Sequence, residues 1–399
     1  MTSDSRAPSA LPFKAFYFCV FAGPAIVGTY LNLYFQRRGL TDGEIGILAG
    51  ILSLVGVVSP LLWGAVADRL GSRRRPGIWA MGISGVLFPC FWWLHGHAIL
   101  IPLIALFGFF QSPLIPLADA AATAYVGRWA ADYGRIRVWG SIGYAAVLAS
   151  MGLLLPARSR AGAAALLPVF VLYLFWRFVG AGCAAKIPEQ KGEQAVPPVN
   201  IGRAMIQAAA VFRDRRLILV CICAFLGWGA MQAYYTFFPI YLDILKVPDN
   251  LKGLYIDIGV GAEILFLTQS GRLEKAIGAA GMLTLGLAAQ AGRLLLFAYP
   301  VPLWAVALGQ TLHAFTFAAF YVACIAFLTK IVPDHLRGGG QAFFSGVVMG
   351  LGGAIGSALA GYVAHRHGMP LMFRAGACTA GAACLLSLVL VKMERTVSA

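Results

Sequence analysis

The chain is 399 residues long, 60% hydrophobic and only 12% charged, with a mean hydropathy of +0.78. A soluble core cannot hide that much apolar surface, so a soluble globular domain is excluded and an integral membrane protein is expected. The net charge of +15 does not indicate a nucleic-acid partner, because the Lys and Arg residues gather in alternate loops between apolar stretches.

The polar start, MTSDSRAPSALPFK, leads into an apolar run too long for a signal peptide and without a small-residue cleavage site, so that run reads as a first span. Twelve hydrophobic segments follow in order, near 14–36, 43–66, 77–96, 98–127, 136–156, 162–185, 217–242, 251–270, 277–299, 301–330, 340–364 and 368–391. Each is close to the ~20 residues that cross ~30 Å of hydrocarbon. One set of loops carries most of the basic residues, including Arg69, Arg73, Arg74, Arg75, Arg128, Lys186, Arg215, Arg272, Lys275, Lys330 and Lys392. The other holds Arg37, Arg38, Arg158, Arg160, Lys246, Lys252 and Arg366. This bias puts both termini in the cytoplasm and the protein, multi-pass, in a cytoplasmic (inner) membrane. The longest polar stretch, with Pro188, Pro197 and Pro198, divides the chain into a tail at 1–13, a six-span bundle at 14–185, a linker at 186–216, a second six-span bundle at 217–391 and a tail at 392–399.

The fourth and fifth spans form the most informative hairpin, DAAATAYVGRWAADYGRIRVWGSIGY. Asp119 and Arg137 stand nine residues either side of Arg128, so a fold at that turn brings them to one depth. Charges there are expected to pair or to line a wet cavity. Tyr144 and Gln111 lie nearby. Asn32, Tyr234, Gln290 and Gln310 are further in-span polar groups, each with an interhelical hydrogen bond as its competing reading. Arg177 and Arg374 are expected to snorkel to an interface. In the second half Glu263 reads as the only acid clearly within the eighth span, with Arg293 in the ninth and His313 in the tenth. Span eleven carries Gly346, Gly350, Gly353, Gly356 and Gly361, a spacing that suits close helix contact. The eight cysteines all fall in apolar segments without metal-ligand spacing and read as packing residues.

Two loops echo each other. Gly64-Ala-Val-Ala-Asp68-Arg69-Leu-Gly71-Ser-Arg73 follows span two, and Gly271-Arg272-Leu-Glu274-Lys275-Ala-Ile-Gly278 follows span eight, which suggests a duplicated half. The first loop resembles the loop signature of the major facilitator superfamily. That resemblance implies an all-α fold of twelve transmembrane helices in two six-helix bundles, with Gly64, Asp68, Arg69, Gly71, Arg73 and Arg128 latching the inward gate. Gly64 is expected to permit close helix approach, and Asp68 to cap a helix or pair with Arg128. The hairpin GRIRVWGSIGY, with Asp119 before it, resembles the sugar-binding hairpin of the lactose permease branch. VGAEILFLTQSGRL and TLHAFTFAAFY are similar to the branch that includes the phenylpropionate permease. From these follow substrate binding by Asp119, Arg137, Tyr144, Asn32, Gln111 and Tyr234, and proton coupling by Glu263, Arg293 and His313. Thr316 takes the place of the branch's proton-handling glutamate, so Glu263 is the candidate carrier.

No Walker loop, nucleophile elbow or metalloprotease motif is present in the sequence. The expectation is therefore a transporter and not an enzyme, with no cofactor and no metal, whose partners are a small solute, protons and the bilayer, acting as a monomer. Import of an aromatic acid, sugar or nucleoside by proton symport is the leading function. Proton antiport of a drug-like solute and a non-transporting receptor of the same fold are the alternatives.

Overall fold

The computed structural model describes residues 9–94, 96–129, 132–158, 162–188, 214–333 and 337–398. The central stretch 186–216 expected as a linker lies outside them, apart from its ends.

Twelve long helices are found among the described residues: α1 Leu11–Arg37, α2 Asp42–Leu70, α3 Arg74–Trp93, α4 His97–Trp129, α5 Tyr133–Leu154, α6 Ala163–Ala185, α7 Arg215–Ile244, α8 Asp249–Leu267, α9 Ser270–Phe297, α10 Leu303–Ile331, α11 Ser345–His367 and α12 Met369–Ser398. Each expected span is a helix. Ten are long and apolar enough to cross a bilayer. The other two, α3 and α8, have 20 and 19 residues. α8 is diluted by charge, carrying Asp249, Lys252, Asp257 and Glu263, whereas α3 after Arg74 and Arg75 is diluted by its prolines, glycines and tryptophans.

Several spans are interrupted where the sequence or the packing requires it. Just after Pro24, α1 passes through a π-helical turn at Val27–Leu31. The regular helix of α4 stops at Gln111 and restarts at Leu114, because Pro113 cannot donate a backbone hydrogen bond. A break at Leu312 divides α10, which continues through a π-helical turn at Ala314–Ala319. Such turns frequently mark functional positions. The loop echo also has a backbone counterpart. Gly71 and Gly278, the closing glycines of the two loops, both adopt positive φ, 55° and 73°, a conformation that a side chain would strain.

The packing divides the chain into two compact units. One is built from α1 to Leu31, α2 from Val55, and α3 to α6. Its core includes Phe13, Tyr17, Met81, Ala118 and Tyr125. The other combines Asn32–Leu54 with α7 to α12, around Leu217, Val220, Leu283, Leu287 and Phe320. In this second unit the glycines of α11 serve as expected. A Cβ at Gly361 would stand 2.5 Å from the Asp42 carbonyl oxygen and 2.8 Å from the Gly46 Cα, and one at Gly356 would strike the Gly229 backbone. Gly361→Val is therefore expected to destabilise the protein by about 1–3 kcal/mol through overpacking, seen as a lower thermal unfolding midpoint in detergent. Gly64 differs from expectation: nothing lies within 4 Å of a Cβ built on it, so it mediates no close helix approach among the described residues.

Candidate functional site

The hairpin of α4 and α5 forms, and Asp119 Oδ1 lies 3.9 Å from Arg137 Nε. The same carboxylate oxygen accepts hydrogen bonds from the hydroxyls of Tyr17 on α1 at 2.6 Å and Tyr133 at 2.9 Å. Arg137 also stacks over the Phe21 ring at 4.2 Å. Gly143 lets α5 close on α1, since a side chain there would strike the Phe18 backbone. The arginine and aspartate side chains remain 34% and 38% exposed. The pair is thus only partly desolvated and accessible to a solute. Tyr144 stands seven residues beyond Arg137, about 10.5 Å along α5.

A second polar group in this unit corrects an expectation. Arg177 does not snorkel to an interface; it is fully buried. Its guanidinium donates to Gln111 Oε1 and lies over the Tyr173 ring at 4.7 Å. Glycines on two neighbouring helices make the room. A side chain at Gly23 would fall on the guanidinium, and a Cβ at Gly85 would stand 2.9 Å from the Arg177 Cβ. The sequence did hold a signal, an in-span arginine with a glutamine two spans earlier, but nothing in it showed that the two meet.

In the second unit the three residues expected to couple protons come together in a row. Glu263 Oε2 is 3.6 Å from His313 Nε2, and His313 Nδ1 is 3.1 Å from Arg293 Nη1. Arg293 also donates to Thr316 at 3.2 Å and to Gln310, and it lies 3.8 Å over the Tyr234 ring. The break at Leu312 sets His313 at the start of the π-turn, with its ring toward both α8 and α9. Glu263 is not alone on α8: Asp257 shares the helix, and its Oδ1 is buried with no hydrogen-bond partner. Two residues expected at a substrate are engaged within the protein instead. Asn32 donates to the Thr236 carbonyl at 3.1 Å, and the Tyr234 hydroxyl donates to Gln310 at 2.9 Å.

The pairing of Asp68 with Arg128 expected at the inward gate is not found among the described residues. Asp68 lies at the C-terminal end of α2 and is exposed, so it caps no helix, and no ion pair joins it to Arg128 among the described residues. Arg128 stacks over Trp129 at 5.5 Å. The second loop of the echo is tied differently: Glu394 accepts from the Ala280 N–H at 3.2 Å and lies 3.6 Å from Lys330. A stronger network, unforeseen in the sequence, forms around Arg37. Its guanidinium donates to both carboxylate oxygens of Asp249, at 2.8 and 2.6 Å, and to Asp243 at 2.6 Å. Lys252 completes the cluster at 2.5 Å from Asp249 and 3.0 Å from Asp243. Arg37 and Lys252 read as loop charges in the sequence, yet Lys252 and Asp249 are fully buried.

Residues 11–375 match the MFS_1 like family. The maltose permease of Geobacillus stearothermophilus is 25% identical over 387 residues, which cover 96% of this chain and 95% of the permease. The probable 3-phenylpropionic acid transporter of Escherichia coli (strain K12) is 26% identical over 356 residues, covering 87% and 89%. Among solved structures, a mutant form of the nucleoside transporter NupG superposes with a TM-score of 0.81 at 19% identity, over 95% of this chain and 99% of that one.

Proposed function

The chain belongs to the MFS_1 like family and is a major facilitator transporter of small solutes, and we propose that it imports a small organic solute together with protons by alternating access. The observation that carries the proton assignment is the row Glu263, His313, Arg293, an acid, an imidazole and a guanidinium in mutual reach inside apolar helices. Ionisable groups in such segments are costly and mark ion pathways. Glu263 takes the transported proton, and His313 with Arg293 stabilises the carboxylate once the proton leaves. The partly exposed Asp119 and Arg137 anchor the solute, with Tyr144 and Gln111 beside them. Their mixed charge suits hydroxyls or a carboxylate, in keeping with the sugar, aromatic-acid and nucleoside transporters that the chain resembles. The Arg37 cluster serves as the outer latch. The Gly64 to Arg73 loop with Arg128 serves the inner gate, and the two are made in alternation.

The test is reconstitution into liposomes with a pH dye in the lumen, adding maltose, 3-phenylpropionate and uridine in turn. Solute-dependent acidification of the lumen is expected for the native protein and is expected to be lost in Glu263→Gln. If Glu263→Gln still couples while Asp257→Asn does not, the proton rides on Asp257. Alkalinisation of the lumen on adding solute would replace symport with antiport. Solute binding without flux would make the protein a receptor.

A further inference from the structure

Spans α4 and α10 break at corresponding places in the two halves, and a glutamine stands at each break. Gln111 ends the first stretch of α4, and Gln310 is the penultimate residue of the first stretch of α10. Each is held by an arginine and a tyrosine from other helices. In the first unit Gln111 Oε1 accepts from the Tyr173 hydroxyl at 2.7 Å and from Arg177, whose guanidinium covers that tyrosine ring. In the second, Gln310 Oε1 accepts from the Tyr234 hydroxyl at 2.9 Å and from Arg293, which covers the Tyr234 ring. Neither guanidinium forms an ion pair among the described residues.

A guanidinium can only donate, so it fixes which way each amide faces: oxygen toward the arginine, nitrogen away. Two donors then occupy the oxygen, and the nitrogen is left over. Gln310 Nε2 is buried with no hydrogen-bond partner. Gln111 Nε2, on a half-buried side chain, donates to nothing among the described residues. Buried donors are rarely left unmatched unless something absent from the structure takes them. The cation behind each amide makes that occupant an acceptor and disfavours another cation.

Resting on the transport reading above, we infer that Arg177 and Arg293 are positioning residues that present the Gln111 and Gln310 amide nitrogens to oxygen acceptors of the solute. The protein thereby selects solutes rich in hydroxyl, carbonyl or carboxylate oxygens and rejects amines.

Gln111→Glu separates this role from bracing. The carboxylate keeps the acceptor for Arg177 and Tyr173, and strengthens it by charge, but has no N–H to offer. With the solute that the native protein takes up in the liposome assay, Gln111→Glu and Gln310→Glu are each expected to raise KM about tenfold. Vmax should change little, and the thermal unfolding midpoint should hold or rise. An unchanged KM overturns the inference, because a glutamine that only braced an arginine is replaced at least as well by glutamate. Arg177→Met gives a second reading if the glutamates perturb folding. Freed from the guanidinium, the amide can flip, so KM should rise and the preference over an amine analogue should narrow; no change in either overturns the proposal. A native protein that moves none of maltose, 3-phenylpropionate and uridine removes the transport reading, and this inference falls with it.

Discussion

Arg37→Met is expected to cost the fold about 3–5 kcal/mol, the usual penalty for removing one partner of a buried ion network. The cluster balances two cations against two carboxylates. Without Arg37, Lys252 alone faces Asp243 and Asp249, both largely or fully shielded from water. Desolvation that the guanidinium offset would then fall on the carboxylates. The measurement is the midpoint of thermal unfolding in detergent, with Arg37→Lys beside it. Lysine keeps the charge but loses the two-toothed grip on Asp249, so it should fall between native and Arg37→Met. Adding Asp243→Asn to Arg37→Met should recover part of the loss, since the two residues act as a pair. An unchanged midpoint in Arg37→Met would show that the cluster is hydrated and holds nothing.

Arg293→Met is expected to behave in the opposite way. Arg293 is buried without an ion pair among the described residues, held by Gln310, Thr316, His313 and the face of Tyr234. Replacing a buried charge with an apolar side chain of similar length removes its desolvation cost, so the unfolding midpoint should hold or rise. Uptake should nevertheless fall about a hundredfold, because hydrogen bonds from a charged group to His313 and Gln310 are lost together. A variant that loses stability and uptake in proportion would make Arg293 a brace and not a working residue.

The two arginines show what could and could not be seen in the chain. Arg293 stood out at once, an in-span cation one span before His313, and Glu263 was found from its apolar surroundings. Their grouping as one proton-coupling set came from the resemblance to the permease branch, not from spacing. Asp119 and Arg137 were paired from spacing alone, by their equal distance from the turn. Asp257 was passed over although it lies on the same helix as Glu263, because spacing does not say which acid is left without a donor. Arg177 was read as a surface cation because composition cannot distinguish a buried guanidinium from one that reaches the headgroups. The glycines at positions 23 and 85 that make room for it lie on other helices. Arg37 was counted as a loop charge because its partners lie about 200 residues away; Lys252 has a partner only three residues away, but spacing does not show that both side chains are buried.

The sequence by itself determined the twelve spans, most of their ends within a few residues, and the two glycine loops that echo each other. These depend on local hydrophobicity and backbone freedom, both carried by neighbouring residues. Only the tertiary structure decided which polar side chains are spent on one another. It showed Asn32 and Tyr234 tied within the bundle, Gly64 facing open space, and Gln111 and Gln310 each turned by an arginine. Such pairings depend on helix rotation and contact across long stretches of chain, where a shift of one residue turns a side chain by about 100° and replaces its neighbours.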